Sequence, residues 1–198
     1  IDGRAQWSQL QWPLRGEPIV SSSQGTGTLR GSLPYAFAID AQVAARGVPE
    51  ATGTASGTLS TSAVTLDAFD VTALNGRLAG AGALSLDEPR HWNLEANVAD
   101  IHTAPLDERF PGRITANIVA NGTGIDSRAR FAVSVAELHG RLRNQPVNAR
   151  GHLERNGRHW KVQDARVAYG TARLALDGEL RDDIHASWSL QAPDLAML

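Results

Sequence analysis

Apolar and polar residues alternate along most of this chain of 198 residues. Residues 35–43 place five apolar side chains on one face, and residues 92–98, 114–120 and 131–135 repeat the pattern. Alternation with a period of two is typical of a β-strand with one dry and one wet face. The pattern predicts an all-β chain of roughly fifteen strands, most of them about 5–10 residues long, with turn residues between them.

The triplet Gly-x-Leu, in which x is any residue, occurs eight times, which is far more often than the composition predicts. We interpret the triplet as a strand start, in which glycine makes the bend and leucine is the first inward-facing residue. One copy leads to Trp92 and another, 96 residues later, leads to Trp188. Repetition of this kind favours a stacked β architecture. The glycines concerned are Gly27, Gly31, Gly57, Gly76, Gly82, Gly140, Gly151 and Gly178.

Three segments depart from the alternation. Residues 103–109 have a capping threonine, an early proline and acidic residues in the first turn, which predicts one short helix. Residues 21–28 are polar and glycine-rich, which predicts a loop or a weak edge strand. Residues 193–198 resemble the start of the element that follows the first tryptophan copy. We therefore expect residues 1–198 to be a single repetitive β domain, a fragment of a longer protein.

The composition excludes several kinds of site. Hydrophobic residues make up 42% of the chain and the net charge is −2, which indicates neither a basic nucleic-acid groove nor an acidic tail. The chain has no cysteine, so disulfides and thiolate metal sites are excluded. Six scattered histidines lack ligand spacing, and the paired acids lie in turns. We predict no metal, no cofactor, no catalytic residue and no enzymatic activity.

The one-sided alternation allows two architectures. In a closed sandwich, two dry faces pack on each other. In a trough, one curled sheet leaves its dry face open to an apolar guest. Periodicity alone does not choose between them.

A longer ordered series of motifs resembles a known family. Its members are Leu74-Asn-Gly-Arg-Leu78, Trp92-Asn-Leu94-Glu-Ala96, Phe110-Pro-Gly-Arg-Ile114, Leu138-His-Gly-Arg-Leu142 and Trp188-Ser-Leu190-Gln-Ala192. In this order they resemble the TamB family (translocation and assembly module subunit), which belongs to the AsmA-like group of bridge-like lipid transfer proteins. The resemblance is clearest over residues 55–198.

The resemblance implies an elongated stacked sheet curled lengthwise into an open trough, a β-taco, with an apolar interior. It also implies a periplasmic segment of a protein anchored in the inner membrane of a Gram-negative bacterium. The implied functions are phospholipid transfer between the two membranes and support of outer-membrane protein assembly. The implied partners are phospholipid acyl chains and the outer-membrane barrel protein TamA.

The inward positions of the alternating strands are the predicted groove lining. They are Tyr35, Phe37, Ile39, Trp92, Leu94, Val98, Ile114, Ile118, Phe131, Val133, Val135, Trp160, Val162, Leu174, Leu176, Trp188 and Leu190. Arginines 141, 143, 150, 155 and 158 are expected at outward positions or in turns, on a solvated face or facing anionic headgroups.

Two other functions are compatible with a β-rich chain. In the first, a scaffold or chaperone templates nascent outer-membrane strands by β-augmentation at a free sheet edge, without carrying lipid. In the second, a β-helix binds carbohydrate or acts as an enzyme. The second is disfavoured because Trp92 and Trp188 share the phase of Leu94 and Leu190, which predicts that both tryptophans face the dry side.

Overall fold

Long antiparallel strands account for nearly all of the fold. The computed structural model describes residues 1–12, 17–18, 20–45, 48–124, 129–181 and 183–193. The strands are β1 (Asp2–Trp12), β2 (Val20–Arg30), β3 (Tyr35–Ala45), β4 (Val48–Leu59), β5 (Ala63–Ala73), β6 (Gly76–Ser85), β7 (His91–His102), β8 (Gly112–Thr123), β9 (Arg130–Leu142), β10 (Gln145–Asn156), β11 (His159–Tyr169), β12 (Ala172–Leu180) and β13 (Ile184–Gln191). Residues 194–198, expected to begin another element, lie outside the described residues.

The thirteen strands form one sheet in which spatial order equals sequence order. The extensive contacts of each strand are with its sequence neighbours, so no second sheet packs on the first within the described chain. The all-β prediction is confirmed, and the closed sandwich is wrong. The sheet is open, and β1 and β13 do not meet to close it.

The accessible surface of the chain shows how open the sheet is. It is 13138 Å², whereas a compact protein of 21.1 kDa exposes about 9,000 Å². Among the side chains that the structure describes, no large one is fully buried. The buried apolar residues are mostly small, and they are Ala41, Ile101, Ala116, Ala120, Ala129, Val147 and Ala172. A side chain in this sheet is covered only by neighbours on its own face.

Register shifts in β5, β7, β9 and β11 insert an extra residue into each strand. An acidic residue lies at each of these β-bulges: Asp67, Asp100, Glu137 and Asp164. Asp100 and Asp164 have φ values of 57° and 50°, in the left-handed region that aspartate tolerates better than most residues. Bulges bend a strand and increase its twist. The bulged strands are every second strand from β5 to β11.

The predicted helix at residues 103–109 is wrong, because this segment forms consecutive turns. The carbonyl of Thr103 accepts from the backbone N–H groups of Leu106 at 2.9 Å and Asp107 at 3.0 Å, and no further helical turn follows. The Thr103 N–H donates to the carbonyl of Gly112 at 3.2 Å. The segment has to reverse the chain so that β8 lies antiparallel to β7, and a helix would carry it away from that position. No helix in the described part of the chain has the length and apolarity needed to cross a membrane.

Three other expectations are wrong. The strands of the described residues are longer than predicted, with 8–13 residues each, and they number thirteen where roughly fifteen were expected. Residues 21–28 lie within β2, which pairs with β1 and β3 on its two sides. Of the eight Gly-x-Leu glycines, Gly76 begins a strand, and Gly31 lies in a turn with a φ of 91°. The other six lie inside strands, so the triplet does not mark a strand start there.

Candidate functional site

The register places the seventeen predicted groove residues on one face of the sheet, the apolar face. Directly paired residues in an antiparallel sheet point to the same side, so the ladder can be followed across the strands. For example, Leu94 pairs with Ala120, Ala120 with Val133, and Val133 with Leu153. The four tryptophans with described side chains, Trp7, Trp92, Trp160 and Trp188, lie on this face. Whether these residues line a lipid groove stays a prediction.

Aromatic rings on the apolar face lie against glycines of the neighbouring strand. Trp7 pairs with Gly25, Phe37 with Gly57, Phe69 with Gly80 and Trp92 with Gly122. A Cβ built on these glycines would lie 2.2, 3.0, 2.8 and 2.6 Å from the paired ring. The rings therefore occupy the space that a side chain would need, and they lie low over the backbone. At Gly57, Gly80 and Gly122 a backbone carbonyl oxygen of the neighbouring strand is nearer still, at 1.9, 2.0 and 2.5 Å. Ring packing and close backbone approach together leave room only for glycine at these positions.

The apolar face is uncovered within the described structure. Trp188 is 69% exposed, Leu190 49%, Ile39 40% and Leu174 38%. Strands about 4.8 Å apart and about 11 residues long give a face of about 60 by 36 Å, or roughly 2,000 Å². The largest apolar patch on a typical monomer is about 300–600 Å². The uncovered apolar face of this sheet is several times larger than such a patch.

One row of the apolar face, the lip row, runs along the edge where the odd-numbered strands begin. Direct ladder pairs join its eleven positions from β3 to β13. Four are aromatic and one, Arg155, is charged. The positions are Tyr35, Leu59, Val64, Leu84, Trp92, Gly122, Phe131, Arg155, Trp160, Leu180 and Ile184.

Arg155 was expected at an outward position or in a turn, and this expectation is wrong. It lies on the apolar face because it follows Leu153 at the strand period, and both residues belong to β10. The turn residues Asn156 and Gly157 come directly after Arg155, which favoured a turn position for it. The spacing of two from Leu153 would have predicted that Arg155 lies on the apolar face.

The opposite face, the polar face, carries short polar and charged side chains. Exposed ion pairs join Arg77 to Asp70, and Arg166 to Asp177 at 2.9 Å. Exposed pairs of this kind add little stability. A hollow of about 560 Å³ on this face is lined by Arg150, Arg166 and Arg173, among others. The polar face therefore presents solvated grooves between strands.

Histidines on the polar face bind neighbouring side chains. His152 Nδ1 lies 2.7 Å from Ser134 Oγ, and its Nε2 lies 2.9 Å from Glu154 Oε1. His159 Nε2 lies 2.9 Å from Glu179 Oε2, and this hydrogen bond, with the nearby charge of Arg181, lowers the pKa of Glu179. Across the residues the structure describes, no group of three or more histidines and carboxylates could hold a metal ion.

A pH-dependent contact holds the bulge of β11. Asp177 Oδ1 accepts from the backbone N–H of Asp164 at 2.6 Å, and Oδ2 accepts from Arg166 at 2.9 Å. These donors, the backbone N–H first, lower the pKa of Asp177 in the folded chain. The ionised carboxylate therefore stabilises the fold above its unfolded pKa of about 3.9, and this contribution is lost as pH falls through the lower folded pKa.

We expect Asp177→Asn to unfold at a lower urea concentration than the wild type at pH 7, and the two unfolding midpoints to converge as pH falls through the lowered folded pKa of Asp177. Circular dichroism during urea titration between pH 2 and pH 7 measures this difference. Asp40→Asn removes an exposed carboxylate of β3 outside any bulge and serves as the control. A difference between Asp177→Asn and the wild type that stays constant across this pH range would contradict the assignment.

Comparison with known proteins identifies one family model and one curated relative that match this chain. The sequence is 23% identical over 133 residues to the translocation and assembly module subunit TamB of Haemophilus influenzae. The aligned region covers 67% of this chain and 10% of that relative, so the chain spans about a tenth of the relative's length. No solved structure is significantly similar to the chain. The family model described as "TamB, N-terminal domain" matches residues 2–198. This match over nearly the whole sequence confirms the resemblance, and the chain belongs to the TamB family.

Proposed function

We propose that this chain is a periplasmic segment of a translocation and assembly module and that its apolar face carries phospholipid acyl chains between the inner and outer membranes. Family membership supports a role in the translocation and assembly module. The resemblance supports inner-membrane anchoring and TamA as the outer-membrane partner. The observation that carries the lipid proposal is the continuous, uncovered apolar face of thirteen strands.

The free energy of acyl-chain hydration makes such a face useful. Moving a sixteen-carbon tail into water costs about 0.8 kcal/mol per methylene, or on the order of 12 kcal/mol. A continuous apolar surface about 60 Å long removes most of this barrier along its length. The low aromatic rings over Gly25, Gly57, Gly80 and Gly122 keep the surface shallow, so a tail meets few deep pockets that would hold it.

Photo-crosslinking at two adjacent residues of β8 tests the proposal. Ile118 lies on the apolar face, paired with Ala96 and Val135, whereas Val119 lies on the polar face and is 46% exposed. A photoreactive amino acid at position 118 should capture phospholipid in cells, and the same group at position 119 should not. Capture of lipid at 119 and none at 118 would refute lipid transfer on the apolar face.

A further inference from the structure

The lip row contains one charged side chain, Arg155, flanked by two aromatic residues. Arg155 pairs directly with Phe131 of β9 and Trp160 of β11. We propose that Arg155 binds the phosphate of a phospholipid headgroup at the lip row while the acyl chains lie on the apolar face beside it. This inference rests on the proposed function, because it assigns the headgroup site of the same lipid.

The aromatic neighbours hold the guanidinium in a defined place. Its Cζ lies 5.3 Å from the centre of the Trp160 ring and 5.9 Å from the centre of the Phe131 ring. The two rings are 5.9 Å apart and nearly perpendicular, at 82°. Arg155 Nε donates to the carbonyl of Gly157 at 3.2 Å. Cation–π contact and a backbone hydrogen bond thus fix a cation at the boundary between apolar face and water.

The chemistry of this position fits a phosphate diester. A guanidinium is always charged, and its fork of N–H donors matches two phosphate oxygens. Aromatic residues at a boundary between hydrocarbon and water suit the level of lipid headgroups. One step inward from Arg155, Val133, Leu153 and Val162 form a paired apolar row. A lipid with its phosphate on Arg155 would place the first methylenes of its tails on this row.

Quenching of tryptophan fluorescence tests the proposal on the full chain in detergent. The probes are phosphatidylglycerol and diacylglycerol carrying the same brominated acyl chains, and inorganic phosphate is added as a competitor. The variants are Arg155→Gln and Arg155→Lys. The matched control is Arg150→Gln, which removes an exposed arginine from the polar face of the same strand.

We expect Arg155→Gln to bind phosphatidylglycerol about tenfold more weakly and diacylglycerol as the wild type does, because a charge-assisted hydrogen bond to phosphate is lost. Arg155→Lys should bind phosphatidylglycerol with an affinity between those of the wild type and Arg155→Gln, since it keeps the charge without the fork of N–H donors. Arg150→Gln should bind both lipids normally. Millimolar inorganic phosphate should compete only weakly, because it makes no contact with the apolar face.

Three results would overturn the headgroup site while leaving lipid carriage intact. The first is unchanged phosphatidylglycerol binding by Arg155→Gln. The second is an equal loss of diacylglycerol binding, which would mean that Arg155 only supports the Phe131 and Trp160 rings. The third is displacement of phosphatidylglycerol by micromolar inorganic phosphate, which would indicate a free-anion site. Wild-type protein that binds neither lipid would instead refute the proposed function, and the headgroup site with it.

Discussion

Ile118→Asp is expected to weaken lipid binding strongly while the sheet remains folded. Ile118 lies between Ala96 and Val135 on the uncovered apolar face. A carboxylate there stays in water in the empty protein, so we expect folding to change by only about 1 kcal/mol. When an acyl chain covers the position, the carboxylate loses its hydration without gaining a partner. We expect lipid affinity to fall by about 100-fold, or 2.7 kcal/mol.

The measurement is quenching by brominated phospholipid, combined with circular dichroism and urea unfolding to verify the fold. Val119→Asp introduces the same carboxylate one residue later, on the polar face. It should bind lipid as the wild type does, because its side chain stays in solvent. Equal lipid affinity in Ile118→Asp and the wild type would remove the main support for acyl chains on this face. Equal losses in both variants would show that the effect comes from the strand rather than from the face.

Gly80→Ala is expected to destabilise the sheet by about 2–3 kcal/mol. A Cβ at this position would lie 2.0 Å from the carbonyl oxygen of Glu95 and 2.8 Å from Cζ of Phe69. The backbone of β7 has to shift to make room, and the Phe69 ring has to rise from the glycine. A glycine-to-alanine change at an unstrained position does the opposite, because it stabilises a protein by about 0.4–1 kcal/mol through the unfolded state. The sign of the effect is therefore diagnostic.

Gly3→Ala is the matched control, because the nearest atoms to its added Cβ lie at 3.8 and 3.9 Å, which is ordinary contact. Urea unfolding followed by circular dichroism gives both values. Gly3→Ala should be neutral or slightly stabilising. If Gly80→Ala were as stable as the wild type, crowding by the Glu95 carbonyl and the Phe69 ring would not be the reason for glycine at position 80.

The β-bulges of β5, β7, β9 and β11 are visible in the sequence as a change in the spacing of apolar residues, which a search for strict alternation does not recognise. At each of the four bulges the apolar phase moves from a spacing of two to a spacing of three, as between Val98 and Ile101 or Val162 and Ala165. Such a step can also be read as a strand end, which explains why fifteen short strands were predicted. Pairing with β8 on both sides of the bulge continues β7, and pairing with β10 and β12 continues β11.

The repeat of 96 residues shows where local sequence stops deciding the structure. Trp92 and Trp188 lie at matching positions of the repeat, yet Trp92 pairs with Leu84 and Trp188 pairs with Leu176. The connection before β7 is longer than the one before β13, so the register differs by several residues. Similar sequences thus place the first tryptophan in the lip row and the second farther from it.

The sequence by itself determined that the chain is all-β and that its apolar side chains share one face, because strand periodicity is local and independent of the partner strand. The order of its motifs also indicated the TamB family. Only the tertiary structure decided that the strands form one open sheet, that aromatic rings cover glycines, and that Arg155 joins the lip row between Phe131 and Trp160. These features depend on register, which hydrogen bonding between distant segments sets.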